Sequence, residues 1–208
     1  MYEFNEFQMQ QYVGEVLHQV EAAALAIVDL KGAVLDESDP SLSIPRAFAA
    51  VQGLLGAAAI LSNLLWPNPA SKTVDCEPLS ADREQARQRT LARGKALRKT
   101  LGVTGASPLQ NRKVRNGFEH IDERLDQYLF EHARGASRYF VDRSIMAPDK
   151  VRFGGQPAVF LRLIDPGPPT VSVMGDTLEL LPLNNAIDDL GYRAQHWLQD
   201  HGPMASHL

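Results

Sequence analysis

Leu109–Ala133 (LQNRKVRNGFEHIDERLDQYLFEHA) is the stretch whose reading decides the fold. Within it Val114, Phe118, Ile121, Leu125 and Tyr128 recur at spacings of four and three, the signature of one helical stripe turned toward a core. The spacing predicts a single amphipathic helix over the whole stretch. Arg112, Asn116, Glu119 and Glu123 fill the opposite face, with Arg115 and Asp126 on one flank and His120 and Gln127 on the other. Arg115 and Glu119 stand as i,i+4 partners for an ion pair, and Asn116 and His120 as i,i+4 polar partners.

Toward the amino terminus the same periodicity predicts three more helices. Phe4 to Leu30 carries Val13, Val16, Leu17, Val20, Ala24 and Ile27 on one face, and Lys31-Gly32 reads as its stop signal. After a polar connector, Ser43 offers an N-cap and Pro45 a first-turn proline for a helix running to Trp66, with Phe48, Val51, Leu54, Leu55, Ala58, Leu61 and Leu65 inward. Pro67-Asn68-Pro69 ends it, and the segment to Leu79 shows no periodicity. Ser80 caps a third helix, with Asp82 and Glu84 in its first turn and Gly102 at its end. Four helices on moderate loops predict an up-and-down bundle.

Beyond Gly135 the pattern changes. Val159–Ile164, Thr170–Met174 and Thr177–Leu181, separated by Asp165–Pro169 and Gly175-Asp176, predict a small antiparallel meander. Ile187, Leu190, Ala194 and Trp197 mark a closing helix. The expected organisation is therefore a mainly α chain. Residues 1–135 form a helical bundle, and 136–208 form a β-meander and C-terminal helix packed on it, as two parts or one domain.

Composition narrows the function classes. A 44% hydrophobic and 22% charged chain of 208 residues is that of a globular protein with room for a sizeable core. Its single cysteine, Cys76, excludes an internal disulfide and suits a reducing compartment; no zinc site can be built from it and the scattered histidines. The acidic start lacks the pattern of a signal peptide, and Ala47–Trp66 reads as a buried helix rather than a membrane span, so a cytoplasmic chain without membrane partners is expected. Net charge is −4, yet residues 81–115 hold ten of the 21 Lys and Arg beside only Asp82 and Glu84. Such a stretch either steers a phosphate backbone or is a solvated helix rich in good helix formers.

The hexapeptide Arg115-Asn116-Gly117-Phe118-Glu119-His120, an arginine followed by a polar residue and then a histidine four residues on from it, resembles the signature of the HEPN superfamily. Its members are small helical-bundle domains found in ribonuclease toxins, RNA-targeting defence systems and nucleotide-binding modules. The resemblance implies a metal-independent endoribonuclease acting at a homodimer interface and leaving 2′,3′-cyclic phosphate ends. Histidine suits proton transfer and arginine suits the charge of a pentavalent phosphate. The implied catalytic set is Arg115, His120, Asn116 and Glu119, with Arg112 and Lys113 holding RNA; Arg98 and Lys99 of the basic stretch complete the expected RNA-binding set. On an ideal helix Arg115 and His120 are about 140° apart, so a shared site needs Gly117 to loosen the helix or a second chain to supply partners. No cofactor or metal is expected, since His120 and Glu123 lack the second matching pair of a di-metal bundle. Gly154-Gly155 lies outside any strand-to-helix phosphate loop.

The family equally includes non-catalytic modules that bind a nucleotide or a protein partner, and the same residues would then form a polar surface or a dimer seam. A toxin paired with an antitoxin is a further expectation, but Asp122 stands where a tyrosine modified in the matching subfamily would be.

Overall fold

A computed structural model describes residues 2–36, 38–68, 73–74, 77–78, 80–132 and 140–201. Cys76 and Gly135 lie outside the described residues. Helix α1 (Glu6–Leu35) opens on a capping box: Gln8 N–H donates to Asn5 Oδ1 at 2.9 Å, and Asn5 N–H donates to Gln8 Oε1 at 3.1 Å. Val13, Val16, Val20, Ala23, Ala26, Leu30 and Ala33 are its buried stripe. Ala24, expected inside, is exposed, because the stripe drifts round the helix over so many turns. Gly32 does not stop the helix. It stays helical, and α1 continues one turn further to Leu35.

Helix α2 (Pro40–Leu65) begins before the expected start. Asp39, not Ser43, is the cap: its Oδ1 accepts from Ser41 N–H at 2.9 Å and from Ser41 Oγ at 2.6 Å, with Pro40 just inside. Ser43 is buried and Pro45 sits within the helix. All seven apolar positions expected inward, from Phe48 to Leu65, are buried. By length and composition α2 could cross a membrane, yet 61% of its apolar window is buried within the protein.

The connector holds a two-residue ladder, β1 (Thr73–Val74) antiparallel to β2 (Glu77–Pro78). Helix α3 (Ala81–Thr100) follows, with Ser80 at its N-cap position but making no side-chain cap bond. At its end Gly102, at φ +61°, donates N–H to Lys99 C=O, while Val103 N–H reaches back to Arg98 C=O. This is the glycine-terminated closure that Gly102 predicts.

The deciding stretch is not one helix. After a 3-10 turn at Pro108–Gln110 it forms α4 (Lys113–Glu119), a break at His120 (φ −115°, ψ 43°), and α5 (Ile121–His132). Asn111 Oδ1 receives the Lys113 N–H at the start of α4. Val114, Arg115 and Gly117 are buried, and Phe118, Ile121 and Leu125 are half-buried. The side chain of Tyr128 is outside the described residues.

The C-terminal strands are β3 (Phe140–Val141), β4 (Ser144–Ile145), β5 (Arg152–Phe153), β6 (Gln156–Pro157), β7 (Val159–Phe160), β8 (Arg162–Asp165), β9 (Thr170–Val173) and β10 (Asp176–Glu179). The expected meander is β8-β9-β10, with Asp165 opposite Thr170 and Val173 opposite Asp176. Its last turn, Met174-Gly175, has positive φ at both residues (49° and 89°), the geometry whose twist matches the flanking strands. Gly154-Gly155, at 57° and 82°, makes the corresponding turn between β5 and β6. Two pairings were not expected from the sequence: β4 lies parallel beside β8, giving a sheet of order β10-β9-β8-β4, and β3 is parallel to β7. Leu163, Ile164, Val171, Val173 and Leu178 are buried. Helix α6 (Leu180–His201) starts directly from β10, with Leu183, Ile187, Leu190 and Ala194 buried.

The chain divides into two compact units, and the division does not fall at residue 135. Unit 1 comprises residues 1–21, 57–110 and 186–208, and unit 2 comprises 22–56 and 111–185. In unit 1, α3 approaches the end of α2 closely at Gly94, and α6 approaches α1 at Gly191 and Val20. In unit 2, α4 packs on β9 and β10.

Candidate functional site

The motif segment is held in unit 2 by a close approach. A Cβ on Gly117 would stand 3.2 Å from Val173 Cγ1 and 2.6 Å from an Arg124 guanidinium nitrogen. Gly117 thus lets α4 lie on β9, while Arg124 crosses it to reach Asp176 Oδ2 on β10 at 2.6 Å. The break between α4 and α5 falls three residues later, at His120, and Gly117 itself is helical.

That break and that packing set the surroundings of the motif side chains. Arg115 turns inward: its side chain is only 8% exposed, and its Nε is enclosed without a hydrogen-bond partner. Glu119 Oε1 stands 4.0 Å from Nε, near enough for Coulomb attraction and too far for a hydrogen bond. Burial, reinforced by the neighbouring charge of Arg112, lowers the Arg115 pKa from its ordinary value, and Glu119 only partly opposes this. The expectation that Arg115 lies on an exposed flank is therefore corrected. The cause is that α4 lies flat on the sheet and ends at Glu119, so the five-residue apolar stripe does not run through as one line.

His120 is in a different environment. Its imidazole is 59% exposed and faces Glu123 Oε1 at 4.0 Å. Its main chain, not its side chain, meets Asn116, through a His120 N–H to Asn116 C=O bond of 2.9 Å. The Asn116 and Glu119 side chains are exposed. The Arg115–Glu119 partnership expected from spacing is present as this long ion pair.

The expected RNA-binding residues divide between the units. In unit 2, Lys113 is exposed and Arg112 half-buried. In unit 1, Lys99 is exposed, but the Arg98 guanidinium is committed: Nη1 donates to Leu65 C=O, and Cζ lies 5.9 Å from the centroid of the Trp66 ring. Arg93, five residues earlier, does the same, donating to Asn63 C=O at 3.0 Å with Cζ 5.7 Å from the Tyr12 ring centroid. These arginines satisfy the last carbonyls of α2, whose own final turn has no basic residue. Arg87 is held bidentately by Glu84 at 2.7 and 2.9 Å. The basic run of α3 is thus partly structural.

Sequence reasoning missed one ion pair that organises the sheet's edge. Arg162 of β8 grips Asp142, with Nε to Oδ1 at 2.8 Å. Asp142 is subject to burial, which raises its pKa, but the hydrogen bonds and charge of Arg162, with Arg143, outweigh this and hold it below the ordinary carboxylate value. No sequence signal pairs residues twenty apart across a parallel strand pair. Among the described residues no three His, Cys, Asp or Glu side chains are grouped to share a metal ion.

Compared with known proteins, the chain matches no family model, no curated protein and no solved structure.

Proposed function

We propose that this chain is a HEPN-like helical module that binds a phosphate-bearing ligand, a nucleotide or single-stranded RNA, at the α4 segment without cutting it. One observation carries the reading: Arg115 is buried with an unsatisfied Nε, whereas His120 is exposed and faces Glu123. Phosphoryl transfer needs the proton-transfer group within hydrogen-bond reach of the phosphate that the guanidinium neutralises. A buried cation with one distant carboxylate, beside a second arginine, instead favours an anion. The exposure of His120 supports a second reading, in which a homodimer brings the imidazole of one copy to the arginine of the other and RNA is cleaved.

Fluorescence polarisation with labelled single-stranded RNA and with adenosine nucleotides tests the first reading. Affinity should fall with added salt, and Lys113→Glu with Arg112→Glu should weaken it at least about tenfold at low salt. The same RNA, incubated in excess EDTA, should stay intact. Cleavage that is lost in His120→Ala and leaves cyclic phosphate ends would establish the ribonuclease instead. Absence of binding at low salt would defeat both readings.

A further inference from the structure

Unit 2 contains a cavity of about 320 Å³, away from α4, between the C-terminal turns of α1, the end of β8 and the start of α6. Leu30, Val34, Leu54, Ile164 and Leu180 form its walls. Leu35 and Leu181 stand at its mouth, 81% and 58% exposed. An aliphatic concavity of this size, with few polar groups, is what a small-molecule site looks like. Exposed leucines at its rim are surface that a ligand would remove from water.

The polar groups at the rim give the ligand its sign. Lys31 lines the cavity and, among the described residues, makes no salt bridge. Asp165, the carboxylate lining the same cavity, is engaged by the β8–β9 turn: its Oδ1 accepts the Gly167 N–H at 2.9 Å. Asp165 keeps its charge but is tied to the turn, which leaves the Lys31 side chain as the ionic group at the rim with neither a hydrogen bond nor an ion pair among the described residues. We infer that this cavity binds a medium-chain aliphatic carboxylate, with its hydrocarbon tail between α1, α2 and α6 and its carboxylate paired with Lys31. At about 30 Å³ for each methylene-sized group, close to the share of a water molecule in the liquid, the volume holds roughly ten heavy atoms. That is the size of octanoate. The site rests on residues distinct from Arg115 and His120 and stands whether or not the chain binds RNA.

Isothermal titration calorimetry of the full chain with butanoate, hexanoate, octanoate and decanoate, all below their micellar concentrations, tests the inference. One site per chain is expected. Affinity should rise about fourfold per added methylene, the equivalent of about 0.8 kcal/mol each, and level off near octanoate as the cavity fills. Lys31 is exposed, so Lys31→Glu should fold normally. It should weaken octanoate about tenfold or more, the scale of a lost charged hydrogen bond, and leave 1-octanol unchanged. The inference is overturned if octanoate gives no saturable heat, if octylammonium binds more tightly than octanoate, or if Lys31→Glu weakens the carboxylate and the alcohol equally. It is also overturned if the chain is a dimer that excludes octanoate and dissociates on Leu181→Glu, which would assign the cavity to a second copy.

Discussion

Gly94→Ala adds one methyl group where α3 meets the end of α2. That Cβ would stand 2.4 Å from Pro67 Cδ, 2.8 Å from Leu65 C=O and 2.9 Å from Pro67 Cγ. Ordinary carbon contacts lie near 3.5–4.0 Å, and neither a proline ring nor a helix-terminal carbonyl can swing aside as a flexible side chain would. Helix α3 must therefore back away, at an overpacking cost of about 1–3 kcal/mol. Backing away also stretches the bonds from Arg93 and Arg98 to the Asn63 and Leu65 carbonyls, each worth about 1.5–3 kcal/mol as a charged hydrogen bond. Against this stands about 1 kcal/mol that alanine gains over glycine within a helix. The net expectation is a loss of about 1–4 kcal/mol in equilibrium urea unfolding, seen as a lower midpoint at unchanged slope. Gly32→Ala is the matched control. It too is helical, but its Cβ would meet nothing within 4 Å, so it should stabilise by about 0.5–1 kcal/mol. A Gly94→Ala protein as stable as wild type, or two substitutions shifting the midpoint the same way, would refute the close approach.

Arg115→Met should raise stability by about 1–3 kcal/mol, because a poorly paired buried charge is replaced by an apolar side chain of similar length, while abolishing nucleotide or RNA binding; a drop in melting temperature would show that Arg115 is held better than its single long ion pair suggests. Asp142 has a folded pKa below its unfolded value, so the stability it contributes is fully present above the unfolded value near pH 4 and is lost as pH falls through the depressed folded one; unfolding followed by circular dichroism should show a shallower acid limb in Asp142→Asn. Gly191→Ala places a Cβ 2.6 Å from Val20 Cγ1 and should destabilise by about 1–3 kcal/mol in the same urea assay.

Periodicity located the long helices because their inward faces repeat over many turns, and seven inward positions of α2 are all buried. It read Gly102 rightly as a stop and Gly32 wrongly. The two differ in φ, which is positive at Gly102, and the neighbours that decide it are not in the local pattern. Asp39-Pro40 was the better start signal for α2, a capping carboxylate with proline at the first helical position, and it was legible. The roles of Gly94 and Gly117 were not, because each depends on a side chain or carbonyl brought from elsewhere in the chain. Arg115 was the costliest misreading. Helical phase was carried through a segment that breaks at His120, and with the break went the assumption that every polar side chain faces out.

The division of the chain has a consequence for how it is made. Unit 1 needs the first turns of α1 and the last turns of α6: Val20 lies against Gly191, and Gln10 donates its side-chain amide to the His201 carbonyl. Emerging from a ribosome, the N-terminal half of α1 can meet α3 early, as Arg93 over Tyr12 shows, but Val20 stays uncovered until Gly191 of α6 has been made. Unit 2, closed by residue 185, could assemble first. A stalled chain whose Asn185 has cleared the exit tunnel on an added C-terminal linker should therefore display α4–sheet contacts that resist protease.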